Sequence, residues 1–277
     1  MPDLSPDASH GILHRHADFP SRHVAPRPVD VWLPPGYDEA TARRYPVLYL
    51  HDGQNLFLPE LAYTGVDWGV DEAIVDLVQR DSFGGAIVVG VWNTSDRVRE
   101  YMPQKPALPF TLARFRRSPG GSPRSDAYLH FLVGEVKPFI DAAYRTLPGP
   151  DHTFVMGSSM GGLISMYALI EYPHIFGAAG CLSTHWPICG QKMAAALVRM
   201  LPPPGSHRLY FDYGTAEGDA RYEPYQRRVD KLLAAAGWTQ GQDWLTMKFE
   251  GAKHNEAAWR ARLRIPLRFL LRDHLPA

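Results

Sequence analysis

Residues 153–162 read Thr-Phe-Val-Met-Gly-Ser-Ser-Met-Gly-Gly, an apolar run followed by the pentapeptide Gly-x-Ser-x-Gly. A helix-forming run comes next, and a strand, a sharp turn and a helix in this order are what a nucleophile elbow requires. The turn lifts the serine hydroxyl clear of the backbone, where a base can activate it. Side chains at Gly157 and Gly161 are expected to clash in so tight a turn. The pattern therefore predicts a nucleophile at Ser159, the middle residue of the pentapeptide.

The same pentapeptide also occurs by chance in glycine-rich loops, because only three of its five positions are fixed. Its context favours the elbow, since a β-type run precedes it directly and a helical run, Leu163 to Tyr172, follows it. We therefore take the elbow as the fixed point from which the rest of the chain is interpreted.

Short apolar runs alternate with helical segments along the whole chain. Buried strands are predicted at 46–50, 86–91, 178–183 and 208–213, a near-edge strand at 244–249, and helices at 70–80, 126–144 and 225–236. No repeat and no proline-rich linker divides the pattern. We therefore expect one α/β domain over residues 1–277, with a mostly parallel central sheet flanked by helices on both faces.

Three segments depart from this regular alternation. Residues 1–10 are expected to fray, and residues 104–125, rich in Pro, Gly, Ser and Arg, are expected to form a mobile loop near the site. Pro266 is expected to kink or break the last helix.

Composition excludes several kinds of partner. The 277 residues include 29 basic and 29 acidic side chains, and this balance argues against nucleic acid or an anionic membrane as the main partner. No signal peptide and no run long enough to cross a bilayer is recognisable. The two cysteines, Cys181 and Cys189, favour free thiols and a cytoplasmic location. The oligomeric state stays open, a homodimer included.

An activated serine needs a histidine, which in this class of fold follows both the serine and the acid along the chain. The histidines after the nucleophile are His174, His185, His207, His254 and His274. His254 follows the last predicted strand, in a loop with Gly251, and is the predicted general base. The acid is expected in the loop after the strand at 208–213, which offers Glu217 and Asp219. Glu217 is preferred because it follows the strand end by the shorter path, and Asp219 stays the alternative.

Backbone N–H groups must also stabilise the oxyanion of a tetrahedral intermediate. One is expected from Met160, the residue after the nucleophile, and the other from Gly53 or Gln54 in the loop after the strand at 46–50. A plain Asp-Gly turn is the alternative for that loop.

Two further segments are placed at strand ends, where α/β sheets bind ligands. The candidate substrate-binding residues are Arg97, Glu100, Tyr101, His185 and Trp186. An Arg–Glu pair that only orders its loop, and a Trp186 that only packs, are the alternatives. The neighbouring His10, His14 and His16 lack a cysteine or carboxylate companion, so neither a metal nor another cofactor is expected.

Six motifs in order resemble one known family. They are Pro34-Pro35-Gly36-Tyr37, His51-Asp52-Gly53-Gln54-Asn55, Arg97-Val98-Arg99-Glu100-Tyr101, Gly157-Ser158-Ser159-Met160-Gly161-Gly162, Gly214-Thr215-Ala216-Glu217 and His254-Asn255-Glu256. The chain resembles the putative-esterase family of α/β-hydrolases, which includes esterase D-like enzymes, enterochelin esterases, feruloyl esterase domains and mycolyltransferases.

The resemblance implies a serine esterase that cleaves a small-molecule carboxylic ester through an acyl-enzyme, without a metal. It implies Ser159 as nucleophile, His254 as base and Glu217 as acid, although many relatives have Asp at the last position. An acyltransferase with the same acyl-enzyme, and a non-enzymatic binding protein on the same scaffold, are the alternatives. The acyl and alcohol parts of the substrate are left open.

Overall fold

The computed structural model describes residues 10–106 and 121–275. Residues 1–9 of the segment expected to fray, and residues 107–120 of the expected mobile loop, lie outside the described residues. In the described part, one sheet contains eight strands: β1 Ile12–Phe19, β2 Arg27–Leu33, β3 Val47–His51, β4 Ile87–Val91, β5 Thr153–Ser158, β6 Ala178–Leu182, β7 Arg208–Gly214 and β8 Trp244–Phe249.

The strand order across the sheet is β1-β2-β4-β3-β5-β6-β7-β8. From β4 to β8 all neighbours are parallel, and β2 runs antiparallel to both of its neighbours. Every residue of β3, β4, β5 and β6 is buried, because helices cover both faces of a parallel sheet. β8 lies at the edge and is half-buried. These observations confirm the predicted mostly parallel sheet.

Helices lie on both faces of the sheet, as predicted. They are α1 Val70–Asp81, α2 Arg97–Glu100, α3 Ser125–Phe131, α4 Lys137–Ala143, α5 Met160–Glu171, α6 Trp186–Met200, α7 Glu223–Ala235, α8 Glu256–Arg262 and α9 Arg264–Leu270. Leu129, Leu163 and Leu197 belong to the apolar core of one face, and Ile74 and Leu267 to the core of the other. None of the described helices has both the length and the apolar character that crossing a bilayer requires.

Two of the predicted helices are interrupted in the structure. A π-helical turn, Leu132–Val136, joins α3 to α4 within the segment predicted at 126–144. The last helix breaks at Leu263, between α8 and α9, and Pro266 is the third residue of α9. The break is expected from proline, which lacks an N–H and cannot sit in a helix interior without loss.

The turn from β5 to α5 is tight because the backbones of Gly157 and Gly161 lie very close together. A Cβ atom at Gly157 would lie 2.9 Å from the carbonyl carbon and 3.0 Å from the Cα of Gly161. A Cβ at Gly161 itself would have no neighbour closer than 3.6 Å, so the clash expected there is absent. The second restricted position is Gly162, where a Cβ would lie 2.9 Å from Oγ1 of Thr184. Gly161 matters because its backbone occupies the space that a side chain at 157 would need.

We predict that Gly157→Ala lowers the free energy of unfolding by about 1–3 kcal/mol, the usual cost of overpacking a well-packed site. The matched control is Gly134→Ala, because Gly134 is exposed in a helical turn and a Cβ there would meet nothing within 4 Å. Urea denaturation should show the control unchanged or slightly more stable. Equal stability of the two variants would contradict the tight approach at Gly157.

Candidate active site

Ser159 lies between β5 and α5, at the carboxyl edge of the parallel strands. Its backbone has φ 59° and ψ −118°, a conformation that is uncommon for a residue with a side chain. The neighbouring segment holds it there: the Ser159 N–H donates to the carbonyl of Leu182 (2.9 Å), and its carbonyl accepts from the N–H of His185 (3.0 Å). Strained backbone of this kind persists only where the surroundings fix it.

His254 lies in the loop after β8, and its ring contacts a buried carboxylate. Nδ1 of His254 donates to Oδ1 of Asp219 at 2.6 Å. Oδ2 of Asp219 accepts from the hydroxyl of Ser183 (2.6 Å) and from the N–H of Gly214 (2.7 Å). Burial alone would raise the pKa of Asp219, but the hydrogen bonds from His254, Ser183 and Gly214 outweigh it and lower that pKa. Asp219 is therefore a carboxylate that can hold one tautomer of the imidazole.

Glu217, the preferred acid in the sequence, does not contact His254. Its side chain is 58% exposed and forms an ion pair with Nζ of Lys253 at 2.6 Å. The physical reason is local, because Glu217 begins a 3-10 turn, Glu217–Arg221, with φ 49°. The turn carries residue 219 back towards the sheet. Asp219 therefore lies closer to His254 than Glu217 does, although it is farther from the end of β7 along the chain. Asp219, the alternative left open by the sequence, contacts His254, whereas the preferred Glu217 pairs with Lys253.

Two glycines allow the loops after β7 and β8 to meet. A Cβ at Gly214 would lie 2.1 Å from the carbonyl oxygen of Ala252, and a Cβ at Gly218 would lie 2.8 Å from Cβ of His254. The N–H of Ala216 also donates to the Ala252 carbonyl at 3.0 Å. These glycines were the available signal for the acid, since Gly218 directly precedes Asp219.

A cavity of about 410 Å³ opens beside the nucleophile. It is lined by Asp52, Gln54, Asn55, Tyr63, Thr64, Asn93, Arg97, Ser158, Ser159, His254, Glu256 and Trp259. The predicted nucleophile and base thus face one cavity. Among the lining residues that were not identified as site residues from the sequence are Tyr63, Thr64, Glu256 and Trp259. Glu256 belongs to the motif His254-Asn255-Glu256 but was given no role, and no short motif marks the other three.

The loop predicted to donate to the oxyanion forms a 3-10 turn, Gly53–Asn55, at the end of β3. A Cβ at Gly53 would lie 2.5 Å from the carbonyl carbon of Gly90 in β4, so glycine lets the turn press against the sheet. Met160 is the first residue of α5, and N–H groups in the first turn of a helix lack intrahelical acceptors. Gln54 lines the cavity, and its Oε1 accepts from the N–H of Asn93 at 3.2 Å.

Asp52, directly before this turn, is buried and bound on both carboxylate oxygens. Nε and Nη2 of Arg97 donate to Oδ1 and Oδ2 at 2.7 Å each, and Nδ2 of Asn93 donates to Oδ1 at 2.6 Å. Burial would raise the pKa of Asp52, but the charge of Arg97 and the hydrogen bonds from Arg97 and Asn93 lower it below the usual range. Asp52 has φ 60°, so the pair fixes the turn in an otherwise unfavourable conformation.

Of the three residues predicted at the rim of the loop after β4, Arg97 lines the cavity and the other two do not. Glu100 is 1% exposed and forms two hydrogen bonds of 2.7 Å with Arg27 on β2. Tyr101 is fully buried, and its hydroxyl accepts from the N–H of Asp52 at 3.2 Å. Glu100 and Tyr101 therefore hold the loop in place instead of facing the cavity. The partner of Glu100 is Arg27 on β2, and not an arginine of its own loop.

The two candidates after β6 also lie outside the cavity lining. Trp186 is buried, packs near Phe211 and donates from Nε1 to Gln226 at 2.9 Å, so the packing alternative holds for it. Nδ1 of His185 is hydrogen-bonded to the hydroxyl of Tyr222. The Tyr222 ring lies edge-on to His254, with centroids 5.5 Å apart. Burial raises the pKa of Tyr222, and a hydrogen bond with Ser159 partly opposes that rise.

The family model described as Putative esterase matches residues 23–270. The chain belongs to the Putative esterase family. This membership makes the protein an ester hydrolase, and the sheet and its flanking helices have the α/β-hydrolase fold. Within the described residues of this esterase, no group of three or more His, Cys, Asp or Glu is arranged to hold a metal ion.

Several known proteins resemble the esterase in sequence or in structure. It is 25% identical to the "Uncharacterized protein YbbA" of Bacillus subtilis (strain 168) over 233 residues, which cover 81% of this chain and 84% of YbbA. An IroE-like serine hydrolase from Shewanella oneidensis has a TM-score of 0.72 and 20% identity, with 94% of this chain and 79% of that chain covered. The enterobactin esterase FES from Shigella flexneri has a TM-score of 0.68 and 17% identity. That match covers 94% of this chain and 59% of the FES chain.

We predict that Arg97→Ala lowers the free energy of unfolding of the esterase by about 3–5 kcal/mol, because it leaves the buried Asp52 carboxylate without its cation. Arg99→Ala is the matched control on the same helix. Arg99 pairs with the half-exposed Asp96 at 3.1 Å, a contact of a kind worth at most about 1 kcal/mol. Urea titrations at pH 7 measure both variants, and a comparable small loss in each would contradict the structural importance of the Asp52–Arg97 pair.

The sign of the pH dependence follows from the lowered pKa of Asp52. Stabilisation by the pair is fully present above the unfolded-state pKa of about 3.9 and is lost as the pH falls through the lower folded-state pKa. In Arg97→Ala, burial without a nearby cation is expected to raise the pKa of Asp52, so this carboxylate becomes protonated at a higher pH than in wild type. The stability difference between wild type and variant should therefore narrow as the pH is lowered towards 4. A constant difference would mean that Asp52 is not the group affected.

Proposed function

We propose that the protein hydrolyses a small-molecule carboxylic ester through an acyl-enzyme on Ser159, with His254 as general base and Asp219 as the carboxylate that orients it. One observation carries the proposal: His254 is held by a buried carboxylate and lines the same cavity as the strained Ser159. This arrangement supports the proposal, because serine acylation needs a nucleophile, a base and an orienting group close together.

In the acylation step, Oγ of Ser159 attacks the ester carbonyl carbon while Nε2 of His254 takes the hydroxyl proton. The imidazolium that forms is stabilised by Asp219 at Nδ1, where the carboxylate already accepts a hydrogen bond. The carbonyl oxygen becomes an oxyanion, for which the N–H groups of Met160 and of Gly53 or Gln54 are the proposed donors.

Collapse of the tetrahedral intermediate breaks the bond to the alkoxide, which leaves as the alcohol with the proton from His254. Water then attacks the acyl carbon while His254 takes its proton, and the bond to Oγ of Ser159 breaks as His254 returns that proton to Oγ and the carboxylic acid is released. An alcohol that replaced water in this second step would make the protein an acyltransferase. Membership of the Putative esterase family favours water as the acceptor, so hydrolysis is the proposed reaction. The cytoplasmic location stays a prediction from the sequence.

The first test of this function is labelling by a fluorophosphonate, in which Oγ of Ser159 displaces fluoride from phosphorus. We expect wild type to be labelled and to hydrolyse p-nitrophenyl acetate, and Ser159→Ala to lose both the label and at least about 10³-fold in kcat. Ser158→Ala should keep the label on Ser159. An unlabelled wild type that hydrolyses no ester would support a non-enzymatic binding protein, and ester products formed from an added alcohol would indicate acyl transfer.

The second test separates the two candidate acids. Asp219→Asn should lower kcat by about 10³–10⁴-fold, because an amide cannot hold the same tautomer of His254 or stabilise its cation. Glu217→Gln, whose side chain is exposed and paired with Lys253, should change kcat by no more than about threefold. Steady-state kinetics on p-nitrophenyl acetate measure both. A larger loss in Glu217→Gln than in Asp219→Asn would return the role of acid to Glu217.

A further inference from the structure

The charges that line the cavity do not cancel. Three charged side chains besides the proposed base face it: Asp52, Arg97 and Glu256. Asp52 and Arg97 neutralise each other through two hydrogen bonds of 2.7 Å, in which Arg97 uses both Nε and Nη2. The lining therefore keeps one negative charge that no cation in the lining matches, and that charge belongs to Glu256.

Glu256 is held rigidly where a bound molecule would meet it. It is the first residue of α8, two residues after His254, and only 6% exposed. Its Oε2 accepts from the hydroxyl of Thr64 at 2.9 Å, which ties it to the loop that also carries Tyr63. A carboxylate fixed in this way keeps its position when a ligand binds, so its field on the ligand does not depend on rearrangement.

The charge of Glu256 also acts on Arg97, which lines the same cavity. Burial alone would lower the pKa of Arg97, but Asp52 outweighs burial and raises it, and Glu256 adds a smaller contribution in the same direction. A charge in such a partly buried site is screened far less by salt than a charge on the open surface.

Two aromatic rings line the same cavity. Tyr63 is 89% exposed, and Trp259 lies edge-on to His254, with ring centroids 5.0 Å apart. The faces of tyrosine and tryptophan attract cations, and ammonium groups are commonly recognised by such rings together with a carboxylate. The aromatic rings and the unmatched carboxylate thus favour the same class of ligand.

We propose that Glu256 is a specificity residue that makes the cavity select esters bearing a positively charged ammonium group and reject esters bearing a carboxylate. The inference rests on the proposed function, since it concerns which ester reaches Ser159. Glu256 does not take part in proton transfer; it acts on the charged group of the substrate through the electric field inside the cavity.

The test uses three acetate esters of similar shape: 2-(trimethylammonio)ethyl acetate, its neutral isostere 3,3-dimethylbutyl acetate, and a 3-carboxypropyl ester. Values of kcat/KM are measured at low ionic strength for wild type, Glu256→Gln and the control Glu250→Gln. Glu250 is 74% exposed, pairs with Lys248 and lies outside the cavity lining, so the control removes the same charge from a solvated position.

We expect wild type to prefer the cationic ester over its neutral isostere, and Glu256→Gln to lower that ratio about tenfold, which corresponds to about 1.4 kcal/mol. The anionic ester should gain relative to the neutral one in the same variant. Glu250→Gln should leave both ratios within about twofold of wild type. Because each ratio is taken within one protein, a partly unfolded preparation does not change it.

Turnover of the neutral ester with ratios unaffected by Glu256→Gln would overturn the charge selection and leave the proposed function standing. Failure of wild type to hydrolyse any ester, with no fluorophosphonate label, would overturn the function and this inference with it. If Glu256→Gln does not fold, wild type is tested with tetramethylammonium and the uncharged neopentyl alcohol as competitive inhibitors. Stronger inhibition by the cation supports the proposal, and equal or weaker inhibition overturns it.

Discussion

The candidate site depends on the hydrogen bond between Asp219 and His254. This bond can form because the loops after β7 and β8 pack so closely that their backbones are in contact. The carbonyl of Ala252 occupies the space where a side chain at Gly214 would stand, and His254 occupies the space beside Gly218. The absence of side chains at Gly214 and Gly218 thus sets the separation of Asp219 and His254. Because the loops leave adjacent parallel strands, β7 and β8, their register is fixed by the sheet before any site contact forms.

The carboxylate of Asp219 also belongs to a buried polar network centred on Ser183. The hydroxyl of Ser183 donates to Asp219 and accepts from Nε1 of Trp259 (3.0 Å) and Nη2 of Arg262 (2.9 Å). Arg262 in turn forms a buried pair with Asp212 at 2.8 Å. Buried networks of this kind restrict the movement of their members, although Nη1 of Arg262 has no hydrogen-bond partner among the described residues. The helix that follows His254 is thereby linked to Asp219 through the hydroxyl of Ser183.

The sequence predicted those features that depend on local pattern. Uninterrupted apolar runs identified the buried strands, Pro266 identified the break before α9, and the glycines around Ser159 identified the elbow. Glu217 was preferred over Asp219 because distance along the chain was taken for distance in space, whereas Asp219 is the carboxylate that contacts His254. The positive φ of Glu217 and the 3-10 turn it begins reverse the direction of the chain, and a glutamate carries no signal for either. Glu100 and Tyr101 were placed at the rim because a position after a strand end does not reveal whether a side chain points inwards.

The walls of the cavity explain why shared chemistry does not imply a shared substrate. The elbow and the proposed oxyanion turn are formed by strands of the sheet and the short turns that follow them, whose positions are constrained by parallel pairing and by close glycine contacts. Tyr63 and Thr64 come from a loop before α1, Arg97 comes from a short helix after β4, and Glu256 comes from the start of α8. Side chains at such positions can change without moving the strands, since loops accept substitutions that a packed sheet does not. Relatives with 17–20% identity can therefore share this fold and still differ in the charge and shape that a substrate meets.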